Sequence, residues 1–372
     1  MKKFVVIGGG ILGASAAYHL AKSGAEVTII DRQDPGQATD AAAGIICPWL
    51  TQRRNKAWYA LAKKGAAYYE PLIRQLKEDG ETETGYRKSG AISLHTDTGK
   101  LEQMKERAVT RRGDAPEIGD IKKLGKEETK AVFPPLSAEY GSLYISGAAR
   151  VNGRALRDAL LNAAKKHGAE WVSGSAVLMH EGNRVIGVRA EERTFSADGI
   201  LVTAGAWAGE LFEPLGIRLK VSGQKAQILH LQLEKTDTAD WPVVMPPNNQ
   251  YILAFDGGRV VIGATHEDNA GFDLRVTAGG MQEILNKALD VSPGLADGGL
   301  KEVRVGFRPF TPGFLPVIGA VPGYEGVYLA NGLGASGLTV GPFLGAQLAK
   351  LVLCKELDIE LGLYNVQEAM EM

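Results

Sequence analysis

The chain has 372 residues and a formal net charge of −1, and 45% of its residues are hydrophobic. This composition is typical of a globular protein, and the length exceeds what one hydrophobic core usually covers, so we expect two domains. No basic stripe favours nucleic acid as a partner. No stretch reaches ~20 consecutive apolar residues, so no membrane span is expected. The N-terminal apolar run is too short for a signal peptide, and a cytoplasmic protein is expected; a homo-oligomer stays open.

Glycine is the exception in the composition, because its 47 residues are nearly double the usual share of ~7%. Glycine allows positive φ angles and a close approach of the backbone to a ligand, so a long bound cofactor would explain the excess. A large number of turns would explain it equally well. Cys47 and Cys354 form no CxxC pair, and the histidines form no spaced cluster with carboxylates. Neither a disulfide nor a metal site is therefore expected.

The N-terminal segment predicts a βαβ unit. Residues 4–7 have the pattern of a strand buried on both faces, and residues 11–23 that of a helix closed by Gly24. Residues 26–30 predict a second buried strand. Between the first strand and the helix, residues 8–13 have the sequence GGGILG, which is a GxGxxG motif.

Each glycine of this motif has a physical role at a dinucleotide site. Gly8 permits the tight turn, Gly10 lets a pyrophosphate approach the backbone, and Gly13 lets the helix pack against the strand. The N–H groups at the helix start favour the diphosphate. Asp31 follows the second strand, where its carboxylate can accept hydrogen bonds from a ribose. An incidental glycine turn is the alternative, but strand, helix and acid stand in the expected order.

Later segments predict further pieces of the same parallel sheet. They are a helix at 153–167, strands at 169–172 and 200–202 with a hairpin at 185–190 and 194–195 between them, and a strand, glycine-rich turn and helix at 327–329, 331–337 and 338–353. Residues 86–145 and 220–303 have a different sequence pattern, with β-rich runs separated by prolines. We expect these two insertions to form a second domain.

Taken together, several segments resemble the D-amino-acid-oxidase-like flavoproteins, which include glycine oxidase, sarcosine oxidase and D-amino acid dehydrogenase. The matching segments, in chain order, are the GxGxxG motif with Asp31, residues 39–44, residues 202–207, Tyr251, residues 306–309 and residues 332–337. The pattern is nearest to glycine oxidase. The resemblance implies an α/β fold, with a Rossmann-like FAD-binding domain at 1–85, 146–219 and 304–372 and a β-rich substrate domain at 86–145 and 220–303.

The same resemblance implies that FAD occupies the motif. Ala204 and Gly205 would flank the diphosphate and ribityl chain, Val177 the adenine, and residues 334–338 the flavin pyrimidine. The expected cofactor residues are Gly8, Gly10, Ile11, Leu12, Gly13, Asp31, Arg32, Thr39, Asp40, Ala42, Ala43, Gly44, Val177, Ala204, Gly205, Trp207, Gly334, Ala335, Ser336, Gly337 and Leu338. Sarcosine-oxidase-like members carry a flavin-linked cysteine in the C-terminal glycine-rich region, where this chain has Ala335 and Ser336. Non-covalent FAD is therefore expected.

Arg308 and Tyr251 are the expected substrate residues. A planar guanidinium suits a carboxylate, and the resemblance gives Arg308 that role with support from the Tyr251 hydroxyl. A structural ion pair for Arg308 and a core position for Tyr251 are the alternatives. Trp49, Gln224 and Lys225 are further candidates by position.

The resemblance implies an oxidase that transfers hydride from the C–N bond of a small amino acid or N-substituted glycine to FAD. The product imine would hydrolyse to an oxo acid and an amine or ammonia, and oxygen would be reduced to hydrogen peroxide. Ala335 stands where glycine-oxidase-like members usually have a bulkier polar or basic residue, which puts glycine itself in doubt as substrate. A dehydrogenase that passes electrons to a quinone or carrier, a non-catalytic flavin-binding subunit and an NAD dehydrogenase are the other readings.

Overall fold

The computed structural model describes residues 1–371. The strands are β1 (Lys3–Ile7), β2 (Glu26–Asp31), β3 (Ile45–Ile46), β4 (Ala91–His95), β5 (Ile121–Leu124), β6 (Gly141–Ile145), β7 (Ala149–Arg150), β8 (Glu170–Ser173), β9 (Ala176–Glu181), β10 (Arg184–Ala190), β11 (Arg193–Ser196), β12 (Gly199–Val202), β13 (Arg218–Leu219), β14 (Ser222–Gln232), β15 (Val243–Met245), β16 (Tyr251–Ala254), β17 (Arg259–Gly263), β18 (Gly299–Phe310), β19 (Val317–Ala320), β20 (Val327–Asn331) and β21 (Met370–Glu371). The helices are α1 (Ile11–Lys22), α2 (Ala38–Ala41), α3 (Lys56–Ala67), α4 (Tyr69–Glu78), α5 (Thr98–Arg112), α6 (Lys126–Val132), α7 (Gly153–Lys166), α8 (Ala208–Phe212), α9 (Ala278–Val291) and α10 (Gly337–Val352).

A six-stranded sheet forms the first layer, in the order β19-β20-β12-β1-β2-β8. All neighbours are parallel except β19, which runs antiparallel to β20. Strand β1 is apolar because both of its faces are buried. Phe4 and Val6 pack into the core that α1, α7 and α10 share, whereas Val5 and Ile7 pack into the core beneath β9 and β10. The predicted Rossmann-like α/β fold is confirmed.

The helix that follows β1 is positioned by the glycine motif. Helix α1 begins at Ile11, at the carboxyl end of β1, and packs between α7 and α10. The Ser15 hydroxyl donates to the Pro342 carbonyl at 2.6 Å, which joins α1 to α10. The N-termini of these two helices therefore open toward the same side of the sheet.

An eight-stranded sheet forms the second layer, in the order β18-β14-β17-β16-β15-β4-β6-β5. Its neighbours are antiparallel except β15 and β4, which pair in parallel. Helix α9 covers one face through Ile284 and Ala288. Strand β18 runs through residues 303 and 304, where the sequence predicted a domain boundary, and carries the chain back to the six-stranded sheet.

Within residues 1–371, no helix combines the length and the apolar character that crossing a membrane requires.

Candidate active site

A cavity of about 900 Å³ lies between the two sheets. Its walls come from the carboxyl ends of β1, β2 and β12, the first residues of α1 and α10, and parts of β16 and β18. Apart from Gly13 and Asp40, every residue expected at the cofactor lines this cavity, and so do Tyr251 and Arg308. The fold therefore brings the N-terminal glycine motif and the C-terminal arginine to one space.

The glycine motif forms a cradle without side chains at one end of the cavity. Gly8 has a φ of +101°, and a Cβ on Gly13 would lie 1.8 Å from the Gly8 carbonyl oxygen. Gly13 therefore lets α1 pack against β1, as the sequence predicted, although it does not touch the cavity. The Ile11 N–H at the helix start donates to the Thr39 hydroxyl at 3.0 Å. Such a cradle at a helix N-terminus fits the diphosphate of a dinucleotide.

Asp31 is held rigidly beside the cradle. Its carboxylate accepts hydrogen bonds from the Gly9 N–H at 2.5 Å, the Gln33 N–H at 2.5 Å and the Gln37 side chain at 3.0 Å. The buried carboxylate also lines the cavity, where it can accept a ribose hydroxyl. Val177 lies on the cavity wall as well, and its assignment to the adenine stays a prediction.

Arg32 lines the cavity with its charge already compensated. Its guanidinium lies 2.7 Å from Asp34 and 2.8 Å from Glu210. Both carboxylates line the cavity as well. Arg32 therefore brings no free positive charge to a ligand.

Asp40 does not lie where the sequence predicted. Residues 38–41 form the one-turn helix α2 rather than a loop, and this turn directs Asp40 to α7. Its carboxylate accepts a hydrogen bond from Arg157 and lies 3.9 Å from Arg154. We therefore reassign Asp40 from cofactor binding to the packing of α2 on α7. Thr39, Ala42, Ala43 and Gly44 remain on the cavity wall.

Two further glycine-containing turns form part of the cavity wall. Residues 204–207 follow β12, and residues 334–336 form a 3₁₀ turn ahead of α10. Asn331 joins them, because its amide N–H donates to the Gly205 carbonyl at 2.9 Å and its amide oxygen accepts from the Gly332 N–H at 2.7 Å. One sign of this role is visible in the sequence, a polar residue at the end of an apolar strand. The N-terminus of α10 places the positive end of a helix dipole beside these turns.

Arg308 has an amide and a phenol as neighbours rather than a carboxylate. Its guanidinium donates to the Gln224 side-chain oxygen at 3.1 Å, and within residues 1–371 no acidic side chain forms an ion pair with it. Burial lowers the pKa of Arg308, and the nearby Tyr251 hydroxyl opposes that change. The structural ion pair considered for Arg308 is thus absent from the described part of the chain.

Tyr251 reaches this position because its partner across the strand pair is a glycine. Tyr251 faces Gly263 on β17, and a Cβ on Gly263 would lie 2.8 Å from the Tyr251 hydroxyl oxygen. Burial raises the pKa of Tyr251 to about 12, although Arg308 acts in the opposite direction. The tyrosine is therefore a neutral hydrogen-bond donor at physiological pH.

The other candidates separate into supporting and structural residues. Gln224 supports Arg308, and its amide N–H donates to Asp268 at 2.9 Å. Lys225 is buried in ion pairs with Glu267 at 3.4 Å and Asp273 at 3.1 Å. Trp49 is buried and does not line the cavity.

Two cavity residues have no signal in the local sequence. His266 lies on the wall, where burial and the charge of Arg308 lower its pKa, so its ring is neutral at physiological pH. Arg53, in the segment between β3 and α3, lies on the wall as well. Neither belongs to a motif, and only the folded chain brings them to the cavity that Arg308 lines.

Comparison with known proteins identifies the class. The chain matches the family model described as FAD dependent oxidoreductase over residues 3–351, and it belongs to that family. It is 62% identical over 371 residues to the uncharacterized oxidoreductase YurR of Bacillus subtilis (strain 168), with 100% of both chains covered. It is 30% identical over 371 residues to the glycine oxidase of Pseudomonas aeruginosa, with 98% of both chains covered.

A solved structure extends the comparison. The crystal structure of iminodiacetate oxidase from Chelativorans sp. BNC1 superposes with a TM-score of 0.94 at 47% identity, covering 97% of this chain and 98% of that one. The family and the FAD cofactor predicted from the sequence are confirmed. The protein is an FAD-dependent oxidoreductase of the glycine oxidase group, and the glycine cradle beside Asp31 fits this cofactor.

Proposed function

We propose that the protein is an oxidase that removes hydride from the C–N bond of a small amino acid or N-substituted glycine. The observation that carries the proposal is the Arg308 guanidinium, which lines the cofactor cavity beside Tyr251 and has no acidic partner among the described residues. A guanidinium in such a position suits the carboxylate of a substrate. The relatives named for glycine and iminodiacetate oxidation support the same substrate class.

The side chains orient the substrate rather than transform it. FAD, when bound, supplies the hydride acceptor. Arg308 binds the substrate carboxylate through two parallel N–H donors, and the neutral Tyr251 hydroxyl donates a third hydrogen bond. Gln224 fixes the guanidinium plane through the 3.1 Å hydrogen bond. Holding the carboxylate in this way fixes the adjacent C–H bond relative to the acceptor, which lowers the entropic part of the barrier.

The reaction balances as a two-electron oxidation. The substrate carbon loses hydride, the nitrogen lone pair completes the C=N bond, and water hydrolyses the product to an oxo acid and an amine or ammonia. Oxygen takes the two electrons and two protons to give hydrogen peroxide. The amine has to be unprotonated for this step, since an ammonium nitrogen has no lone pair to donate. The His266 ring is neutral as well and adds no positive charge to the site.

An anaerobic reduction screen tests the proposal. The purified yellow protein is mixed with glycine, sarcosine, iminodiacetate, D-alanine and L-proline, and bleaching of the visible flavin absorbance is followed. At least one N-substituted glycine should bleach it, and admission of air should restore the colour with release of peroxide. Bleaching by none of the five compounds would contradict the proposed substrate class. If the flavin colour returns only after a quinone is added, the protein is instead a dehydrogenase.

A further inference from the structure

A second arginine is fixed on the cavity wall at the end formed by residues 334–338. The carbon at the centre of the Arg53 guanidinium lies 4.6 Å from the centroid of the Trp58 ring, and Arg53 also donates to the Phe314 carbonyl. The Trp58 indole N–H in turn donates to the Ser336 hydroxyl at 3.0 Å. Arg53 is therefore held, through Trp58, beside the turn that precedes α10.

Arg53 has no counter-charge in the described part of the chain. Burial lowers its pKa, and no acidic side chain acts on it in the opposite direction. Arg32, which lines the same cavity, is by contrast paired with Asp34 and Glu210. Arg53 is half-buried, and a guanidinium that is partly shielded from water without an anion can gain from a bound ligand that supplies one.

The space on the outer side of Arg53 offers no anion either. A recess of about 460 Å³ adjoins the cavity there and shares Gln52 and Arg53 with it. Its remaining lining residues are Arg54, Asn55, Lys56, Tyr59, Arg107 and Arg111. None of these is acidic, so the recess adds positive potential beside Arg53. The carboxylates that act on nearby Tyr59 are those of Asp114 and Glu117, and Asp114 is paired with Lys63 at 2.8 Å.

The cavity thus presents two uncompensated guanidinium groups, Arg308 and Arg53, to one ligand. An amino acid with a single carboxylate would neutralise only one of them. The FAD diphosphate belongs at the glycine cradle, whereas the contacts of Arg53 are with Phe314 and Trp58, so the diphosphate does not account for Arg53. We infer that the substrate carries a second carboxylate and that Arg53 binds it, while Arg308 binds the carboxylate next to the reacting carbon. This inference rests on the proposed function and narrows it to N-(carboxyalkyl)glycines, of which iminodiacetate is the simplest.

A pair of unreactive ligands tests the inference without turnover. Oxydiacetate and methoxyacetate both have an ether oxygen in place of the amine and differ in the second carboxylate. Their affinities for the FAD-loaded protein are measured by titration calorimetry and by the change in flavin absorbance. The wild type should bind oxydiacetate about tenfold or more tightly than methoxyacetate, which is the effect of one additional charged hydrogen bond. Equal affinities would overturn the inference.

Variants assign the effect to one side chain. Arg53→Ala should abolish the preference and change methoxyacetate affinity by less than about twofold, while Arg53→Lys should restore part of it because the charge remains. Arg54→Ala is the matched control, because Arg54 is exposed and lines only the recess, and it should keep the preference. A preference that survives Arg53→Ala would overturn the inference. The inference would also be overturned if Arg53→Ala lowered the affinity for both ligands equally and shifted the flavin midpoint potential, since Arg53 would then act on the cofactor.

The outcomes separate the two proposals. If the ligand preference depends on Arg53 but no amine bleaches the flavin, the second-carboxylate site stands and the proposed oxidase function fails. If N-methylglycine is oxidised as efficiently as iminodiacetate by both the wild type and Arg53→Ala, the function stands and the second-carboxylate site fails. FAD content and unfolding temperature of each variant establish that it is folded and loaded.

Discussion

Arg308 illustrates how one side chain joins the two layers of the molecule. It is carried by a strand of the eight-stranded sheet, yet its guanidinium lines the cofactor cavity. Its position depends on Gln224 from the neighbouring strand and on the space that Gly263 leaves for Tyr251. The position of Arg308 therefore depends on several strands rather than on one motif.

Replacement of Arg308 should separate substrate binding from cofactor binding. We expect Arg308→Ala to reduce kcat/KM for carboxylate substrates roughly 10²–10⁴-fold, which corresponds to about 3–5 kcal/mol, because the substrate carboxylate loses its charged partner. FAD content should not change, since the glycine cradle lies elsewhere. Steady-state kinetics and the flavin-to-protein absorbance ratio measure both quantities. Arg189→Ala, at an exposed position on β10, is the control, and unchanged kinetics in Arg308→Ala would exclude the anchoring role.

The pH profile should report the substrate rather than the protein. The pKa of Tyr251 is raised to about 12, so its hydroxyl remains a donor until pH rises through that value. The pKa of His266 is lowered, so its ring is already neutral at pH 7. kcat/KM should therefore rise with pH through the amine pKa of the substrate. Two substrates with different amine pKa values should give profiles displaced by that difference, and superimposable profiles would indicate an ionising group on the protein instead.

At the scale of elements, the sequence determines the first βαβ unit almost completely. Its signals are local, because an apolar run, three spaced glycines and an acid all fall within one short segment. Helix α10 was predicted at 338–353 and is found at Gly337–Val352, for the same reason. The pairing of β15 with β4 could not be predicted, since it joins segments that are far apart in the chain and neither carries a pairing signal.

The errors and omissions at the site have the same physical origin. The sequence assigns Asp40 to the cofactor only through the resemblance of residues 39–44. The arginines that bind it come from α7 and meet it only in the folded chain. Arg53 and His266 carry no local signal because the packing of distant segments brings them to the cavity. Motifs identify residues whose neighbours are close in sequence, and packing decides the others.

The junction of β1 and α1 should tolerate no side chain at Gly13. We expect Gly13→Ala to lower the free energy of unfolding by about 1–3 kcal/mol and to reduce FAD content, because its Cβ would overlap the Gly8 carbonyl and displace the helix start. Gly209→Ala in α8 is the matched control, because a Cβ there meets no atom within 4 Å. The control should be stabilised by up to about 1 kcal/mol. Urea denaturation of both variants measures the difference, and equal midpoints would contradict the packing role.

At the scale of the whole molecule, the cavity lies between the two sheets, so its contents contribute to their cohesion. We propose the domain division predicted from the sequence, with FAD held by residues 1–85, 146–219 and 304–372 and the substrate domain built from 86–145 and 220–303. Strand β18 is shared, because it pairs with β14 along its length and ends at the cofactor cavity.

Removal of FAD should destabilise the protein reversibly. We expect the stripped protein to unfold at a lower temperature and to regain stability as FAD is added, by about 2.7 kcal/mol at a hundredfold excess over Kd.

After denaturation, all of the flavin should pass through a filter that retains the protein. Cys47, which lines the cavity, has its pKa raised to about 12 by burial and so remains a thiol rather than a nucleophilic thiolate. Flavin retained with the denatured chain would show a covalent bond, and Cys47→Ser would then test its origin.

Two hydrogen bonds join the C-terminal part of β18 to the segment at residues 36–40 on the cofactor side. The Phe307 N–H donates to the Gly36 carbonyl at 3.0 Å, and the Arg304 side chain donates to the Asp40 carbonyl at 3.1 Å. The two sheets consequently cannot separate by a hinge motion without breaking these hydrogen bonds and displacing Arg308. We therefore expect reactants and products to enter and leave the cavity without a large separation of the two sheets.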